Sequence, residues 1–253
     1  MLVRLNGRSW APVRVRQEQG DQIPGPDLID THRAQVALAG GMSALMDREA
    51  KSATLVAPSP APEDVLIHPF LAVVGTAFAC WTGAEAFHGG AFASGGNALA
   101  LVGEREAGKS STLAALALDG YEVLADDLLV VRDDCVMAGP RCVDLRPSAV
   151  APLGLDPVGG TVRAGERHRL SLASVAPEVP LRGWVFLAWG EGLHVREVPP
   201  LERFKRLMAL RSVFPEESQK VLDLMRLPAW ELRRPHDWSS LAGAVERLLR
   251  LAA

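Results

Sequence analysis

The chain has 253 residues, of which 48% are hydrophobic and 23% are charged, and its formal net charge is −3. This composition excludes a disordered chain and predicts one large domain, or one domain with a small appendage. A net charge so close to zero gives no electrostatic reason to expect nucleic acid or an anionic membrane as a partner.

No segment predicts a membrane span or a secretion signal. The longest apolar run, residues 70–81, is shorter than a bilayer requires, and residues 1–10 lack an apolar core of signal-peptide length. The three cysteines are an odd set without C-x-x-C spacing, which is typical of reduced thiols. We therefore expect a cytoplasmic protein.

The first sixty residues have an irregular pattern. Residues 2–16 alternate like a hairpin, residues 33–50 are predicted to be partly helical, and residues 57–64 (APSPAPED) read as a linker because they hold three prolines. We expect a small N-terminal region, 1–64, that could bind a substrate or partner, and a main domain, 65–253.

The main domain opens with a predicted helix at 69–81. Residues 86–103 predict a hairpin around the turn residues Gly95 and Gly96, and residues 109–119 predict a helix that ends at Gly120. An apolar strand at 121–131 and short strands between 143 and 198 follow. The remaining tail is predicted to be helical, at 200–213, 216–227 and 237–251.

One lysine stands out in this chain. Only four of the 27 basic residues are lysines, and Lys109 lies in GEREAGKS, which fits G-x-x-x-x-G-K-[ST], the phosphate-binding P-loop. A strand pattern precedes this loop and a helix pattern follows it, as the motif requires. The loop predicts an ATP site with Mg²⁺ on Ser110. The expected nucleotide contacts are Gly103, Glu104, Arg105, Glu106, Ala107, Gly108, Lys109, Ser110 and Ser111.

Two adjacent carboxylates interrupt the apolar strand VLADDLLVV. Buried and unpaired, Asp126 and Asp127 would be costly, so they either reach solvent at a strand end or face a cation. P-loop enzymes hold their metal with an acidic residue at the end of a neighbouring strand, which predicts metal and base roles for this pair. Asp133 and Asp134 serve as a comparison, because this pair lies in a predicted polar turn where contact with solvent is enough to stabilise both charges.

Hairpin register singles out His88 among the histidines. If Gly95 and Gly96 form the turn, Ser94 pairs with Asn97, and His88 then lies opposite Gly103, the first glycine of the phosphate loop. There His88 could orient a carboxylate or polarise the transferring phosphate, and a neighbouring carboxylate would favour its protonated ring. The other histidines have no such argument.

The three features together resemble the catalytic domain of HPr kinase/phosphorylase. That family carries a His-Gly pair, a P-loop and an Ala-Asp-Asp, which here are HGG from His88, GEREAGKS from Gly103 and ADD from Ala125. The resemblance implies a P-loop kinase fold of mixed, largely antiparallel sheet, related to phosphoenolpyruvate carboxykinase, with helices on the sheet. It also implies that one aspartate, which we take as Asp126, deprotonates a serine hydroxyl, and that Asp127 helps Ser110 to hold Mg²⁺. Lys109 and His88 complete the catalytic set.

The family's later glycine-rich signature is not found in this sequence, and the N-terminal region is shorter than the family's regulatory domain, so phosphorolysis and HPr as substrate are both left open. Short relatives phosphorylate ribosomally made peptides, which implies a serine hydroxyl of a peptide or small protein as acceptor. A small-molecule hydroxyl and a nucleotide-binding regulator without catalysis are the alternatives, and homo-oligomer formation is left open. Arg167 and Arg169 either clamp phosphate or form a solvated strand face.

Overall fold

The structure is a computed structural model that describes residues 2–3, 12–157, 160–212 and 220–253. It is a mixed α/β protein with few helices. Its described helices are α1 (Glu63–Val65), α2 (Leu71–Cys80), α3 (Lys109–Leu118), α4 (Pro200–Leu210), α5 (Lys220–Leu224) and α6 (Ser240–Ala252).

Within the described residues, the first six strands form one sheet in the order β1-β2-β6-β5-β4-β3. They are β1 (Leu2–Val3), β2 (Val13–Gln19), β3 (Leu28–Ile29), β4 (Arg33–Leu38), β5 (Met42–Asp47) and β6 (Ser52–Ala57). The antiparallel pairing of β1 with β2 agrees with the predicted N-terminal hairpin, whose connecting residues 4–11 lie outside the described residues.

The partly helical prediction for residues 33–50 is wrong. Strands β4 and β5 pair antiparallel through a turn at Gly40 and Gly41, which both have positive φ. Ala34, Met42 and Met46 face the core in the alternating pattern of a half-buried hairpin. The good helix formers in this segment are overridden by tertiary pairing.

The segment Glu63–Cys80 passes the length and hydropathy test for a membrane span, but 67% of it is buried inside the fold. Between α1 and α2, a helical turn (Leu66–Phe70) contains His68 in an extended conformation, φ −151° and ψ 124°. Phe70, Val74 and Phe78 pack against the first sheet. This packing is that of a core helix. The domain boundary at 64 stays a prediction.

The second sheet carries the candidate site. In the described residues it has the order β11-β10-β7-β8-β15-β17-β16, with β9 also on β7 and β11 also on β15. Its strands are β7 (Glu85–Ser94), β8 (Asn97–Val102), β9 (Glu122–Ala125), β10 (Leu128–Arg132), β11 (Cys135–Met137), β15 (Glu178–Trp189), β16 (His194–Glu197) and β17 (Ala229–Arg234). The strands β12 (Cys142–Leu145), β13 (Thr161–Val162) and β14 (Arg167–Ser171) form a third, small sheet.

The predicted mixed, largely antiparallel sheet is confirmed. Strand β15 runs parallel to both β8 and β17, and the other pairings of this sheet are antiparallel. The three predicted C-terminal helices correspond to α4, α5 and α6, but the tail is not only helical, because β17 lies between α5 and α6 and pairs with strands on both sides. Of the predicted helix at 216–227, only α5 is observed, and residues 216–219 lie outside the described residues.

Helices cover both faces of the second sheet. Leu99 and Leu101 of β8 face α3 and α6, whereas Ala98, Ala100 and Val102 face the side covered by α4 and α5. All five are fully buried, and each leucine contributes about 1.5–3 kcal/mol on burial. The run ALALV is therefore apolar throughout because both faces of β8 are covered.

The β7–β8 hairpin has the predicted register. Ser94 pairs with Asn97 and Gly89 with Val102, and the turn residues Gly95 and Gly96 both have positive φ. A Cβ on Gly90 would lie 2.5 Å from the carbonyl oxygen of Ala125 and 2.5 Å from Cδ1 of Leu113. The HGG sequence thus has a packing reason, because α3 and β9 approach the backbone of β7 closely.

We expect Gly90→Ala to lower the free energy of unfolding by about 1–3 kcal/mol, the usual cost of overpacking a core. Urea unfolding followed by circular dichroism measures this. Gly192→Ala is the matched control, because nothing lies within 4 Å of its added Cβ, and its change should stay within about 0.5 kcal/mol. Equal unfolding midpoints for the two variants would contradict the packing argument.

Candidate functional site

The candidate site lies where four strands of the second sheet end. Strands β8, β15 and β17 are parallel, and β9 runs in the same direction because both β8 and β9 are antiparallel to β7. Their carboxyl ends therefore share one edge of the sheet. Ligands of open α/β sheets bind outside this edge.

The loop of residues 103–108 joins β8 to α3 at this edge. A Cβ on Gly103 would meet the carbonyl oxygen of Leu187 at 2.8 Å, and Gly108 has φ +88° with Trp189 and Arg234 3.0 Å from its added Cβ. The backbone of β15 thus requires glycine at Gly103, and the left-handed backbone conformation favours glycine at Gly108. Gly108 gives α3 no side-chain cap, so the first-turn N–H groups are not capped from that position.

Lys109 begins α3, and its side chain folds back over the loop. The Nζ atom donates to the carbonyl oxygens of Gly103, at 2.9 Å, and Glu104, at 2.8 Å. Burial lowers the pKa of Lys109, and the nearby charges of Asp126 and Asp127 oppose this. The ammonium is therefore held within the loop by two carbonyls and faces two carboxylates.

The other predicted loop residues divide between lining and support. Arg105, Glu106, Ser110 and Ser111 line the cavity, whereas Ala107 is buried beneath the loop. The Glu106 carboxylate accepts a hydrogen bond from Arg146 at 2.6 Å. The backbone carbonyl oxygen of Glu106 accepts a hydrogen bond from Trp189 Nε1 at 3.1 Å.

Asp126 and Asp127 form an irregular joint between β9 and β10, so the predicted single strand is in fact two. Both strands pair with β7, and Asp127 adopts φ +69° between them. The Gly89 N–H donates to the carbonyl oxygen of Asp127 at 3.1 Å. This joint interrupts the ladder and turns the two carboxylates to the cavity.

The two carboxylates have different surroundings. Asp126 is 5% exposed and accepts a hydrogen bond from Ser110 Oγ at 3.0 Å. Burial, and then the charge of Asp127, raise the pKa of Asp126 to about 7. The Asp127 side chain is 47% exposed, and its Oδ1 lies 3.5 Å from His88 Nδ1.

His88 lies on β7 opposite Leu128, one residue beyond the Gly89–Val102 pair, as the hairpin register predicts. Asp127 favours the protonated ring of His88, as predicted for a neighbouring carboxylate, but it does not set the net direction of the pKa shift. Burial, followed by the positive charge of Lys109, lowers the pKa of His88, and these effects outweigh the attraction of Asp127. The net shift therefore favours the neutral ring.

A cavity of about 520 Å³ lies over these residues, a volume typical of small-molecule sites. His68 lines its wall beside the third sheet, and sequence reasoning missed this residue. His68 is 4% exposed, and its Nδ1 has no hydrogen-bond partner. The His-Pro pair inside an apolar run was the available signal.

The two arginines of GERHRL differ. Arg169 makes a bidentate pair with Asp144, at 2.7 Å to each oxygen, and also donates to the carbonyl oxygens of Asp64 and His68. It therefore supports the cavity wall rather than forming a solvated face. Arg167 lines the cavity.

Sequence reasoning also missed an aromatic wall on the opposite side of the cavity. It consists of Trp189, at the end of β15, with Arg234, His236 and Trp238, at and beyond the end of β17. Trp189 precedes Arg234 by 45 positions in the sequence, and this separation concealed the cluster.

Magnesium fits this site better than a metal held by protein alone. Among the described residues, no group of three or more histidine, cysteine, aspartate or glutamate side chains could hold a metal ion. Magnesium needs only one or two protein oxygens together with phosphate oxygens and water, and Ser110, Asp126 and Asp127 offer such oxygens.

Comparisons with known proteins show little at the level of sequence. No protein-family model matches the chain, and no curated protein matches it. Among solved structures, the chain is similar to one described as the structure of the Hpr(Ser) kinase/phosphatase from Coxiella burnetii. The two share 14% identity over 66% of this chain and 96% of that chain, with a TM-score of 0.34, which is a distant structural relationship.

Proposed function

We propose that the protein is an ATP-dependent phosphotransferase that transfers the γ-phosphate to a hydroxyl group, a serine of a peptide or small protein. The proposal rests on one observation. Four side chains line the same cavity at the edge of the second sheet, beside the loop of residues 103–108: Lys109, Asp126, Asp127 and His88. A lysine, two carboxylates and a histidine at one end of a cavity are suited to phosphoryl transfer. We further expect the protein to act in the cytoplasm.

The loop and the start of α3 would hold the phosphates. Successive N–H groups at an uncapped helix N-terminus attract anions, and Lys109 can exchange its two carbonyl partners for phosphate oxygens. Mg²⁺, when bound, would neutralise charge on the phosphates, with Ser110 and Asp127 as its protein ligands.

Asp126 is our candidate for the general base. A base works best when its pKa lies near the working pH, and burial brings the pKa of Asp126 to about 7. It would accept the proton of the acceptor hydroxyl at one carboxylate oxygen. His88 would orient Asp127 through Nδ1 and, as a neutral ring, would not compete with Lys109 for the phosphate.

One contact supports the reverse assignment of the two aspartates. The Ser110 hydroxyl is a metal ligand in P-loop proteins, and here it donates to Asp126 rather than to Asp127. In this second arrangement, Asp126 faces the metal and Asp127, paired with His88, is the base. The site supports either order, and the variants below distinguish them.

The acceptor class rests on the resemblance of the HGG, P-loop and ADD residues to the HPr kinase/phosphorylase family. A small-molecule hydroxyl would use the same site. A regulator without catalysis is disfavoured, because nucleotide binding alone does not require two carboxylates beside the phosphate loop.

Lys109→Ala should reduce ATP turnover at least about 100-fold, because the ammonium no longer balances charge on the transferring phosphate. Phosphate transfer or release from radiolabelled ATP measures this, and circular dichroism checks the fold. Lys205→Ala, on the exposed side of α4, is the control and should retain wild-type turnover. Near wild-type turnover by Lys109→Ala would disprove the proposal.

Asp126→Asn and Asp127→Asn should differ in their response to magnesium. Loss of the base costs about 10²–10⁴ in rate at every Mg²⁺ concentration. Loss of the metal ligand raises the Mg²⁺ concentration needed for half-maximal rate, and added Mg²⁺ restores part of the rate. Rates across a Mg²⁺ titration measure both.

Asp134→Asn, in the polar turn after β10, is the control for this pair and should behave as wild type. If neither Asp126→Asn nor Asp127→Asn loses more than a few-fold in rate, the carboxylates are structural and the regulator alternative is favoured.

His88→Ala should lower kcat more than it weakens ATP binding, because His88 lies at the reaction end of the cavity beside Asp127. Turnover assays and calorimetric titration with ATP separate the two effects. His194→Ala, an exposed histidine on β16, should change neither. A His88→Ala variant with weakened ATP binding and unchanged kcat would contradict the assignment.

A further inference from the structure

We propose that the aromatic wall formed by Trp189, Arg234, His236 and Trp238 binds the base of the nucleotide, with Trp238 as the stacking surface. This inference rests on the proposed function, since it concerns the nucleotide that the phosphate loop would hold. It adds a binding subsite that neither the motif nor the resemblance identifies.

The strand order sets the direction in which a nucleotide lies. Along the sheet edge the order is β9-β7-β8-β15-β17. Asp126 and Asp127 follow β9 on one side of the phosphate loop, whereas Trp189 and Arg234 end β15 and β17 on the other side. At about 4.8 Å per strand, β9 and β17 lie roughly 19 Å apart along the edge. If the γ-phosphate of a bound nucleotide lies near the carboxylates, the base at its other end therefore lies toward the aromatic wall.

Trp189 lies on the inner side of the aromatic wall, next to the loop, and does not form its exposed surface. Its Nε1 donates to the carbonyl oxygen of Glu106, and its ring packs against Gly108. The Arg234 guanidinium lies 4.3 Å from the Trp189 ring centre, and the His236 ring stands edge-on at 4.4 Å. The phosphate loop and the aromatic wall are thus in direct contact.

The segment that carries His236 and Trp238 is held in place before any ligand binds. Arg234 donates to the carbonyl oxygen of Asp237 at 2.9 Å and to Ser240 Oγ at 3.0 Å. Asp237 in turn accepts a hydrogen bond from the Ser240 N–H at 2.9 Å, which ties the segment to the start of α6. A fixed segment lowers the ordering cost of binding.

Trp238 nevertheless exposes 40% of its surface, and it lines the cavity. Its neighbour His236 is also exposed and lines the cavity. Exposed aromatic rings on a rigid segment, beside a guanidinium, are the features that bind nucleobases by stacking and cation–π contact.

The test compares two ligands that share the phosphates and differ in the base. Calorimetric titrations use ATP and inorganic tripolyphosphate on the full-length protein. Trp238→Ala should weaken ATP binding about tenfold, the usual effect of losing one stacking ring, and should change tripolyphosphate binding less than twofold. Trp238→Phe keeps a ring and should stay within about threefold of wild type for ATP.

Phe204→Ala is the matched control, because Phe204 on α4 is also 40% exposed and does not line the cavity. It should leave both affinities unchanged. The proposal is overturned if Trp238→Ala leaves ATP affinity intact, if it weakens ATP and tripolyphosphate equally, or if wild-type protein binds ATP no more tightly than tripolyphosphate.

Lys109→Ala distinguishes this failure from that of the proposed function. If Lys109→Ala weakens tripolyphosphate binding while Trp238→Ala leaves ATP binding intact, the phosphate site stands and the base subsite is wrong. If wild-type protein binds neither ligand, both proposals are wrong.

Discussion

Strand β7 is hydrogen-bonded along both edges, and the candidate site depends on those two pairings. On one edge, the hairpin with β8 sets His88 beside the start of the loop of residues 103–108. On the other edge, β9 and β10 pair with β7 and leave Asp126 and Asp127 at the joint. Because side chains alternate along a strand, a slip of one residue against β8 would move His88 away from the loop of residues 103–108, and a slip against β9 and β10 would move it away from Asp127.

The glycines of β7 make these pairings compatible with the helix above them. Gly89 and Gly90 have carbonyl oxygens of the neighbouring strands within 2.8 Å of an added Cβ. Any side chain at Gly90 would separate α3 and β9 from the strand between them. The position of the carboxylates relative to the loop is therefore a consequence of close backbone packing.

Around the cavity lie charged side chains whose burial would be energetically unfavourable if each were isolated. Lys109, Asp126 and Asp127 influence one another, and burial shifts the pKa of Lys109 downward and that of Asp126 upward. On the wall beside the third sheet, Asp144 is held by Arg163 and Arg169, each 2.7 Å away. The same two arginines donate to the carbonyl oxygen of His68, so the segment before α2 is anchored to the cavity wall.

Local sequence determined the parts of this protein whose signals lie close together in the chain. Gly95 and Gly96 set the turn, the turn set the register, and the register brought His88 to the loop that follows β8. The motif from Gly103 to Ser110 with the helix pattern after it predicted the loop and α3. Tertiary structure alone decided that β17 interrupts the helical tail, that residues 33–47 form strands, and that His68 and Trp238 reach the cavity. Those outcomes depend on pairing and packing between segments far apart in the chain, and local propensity carries no information about such contacts.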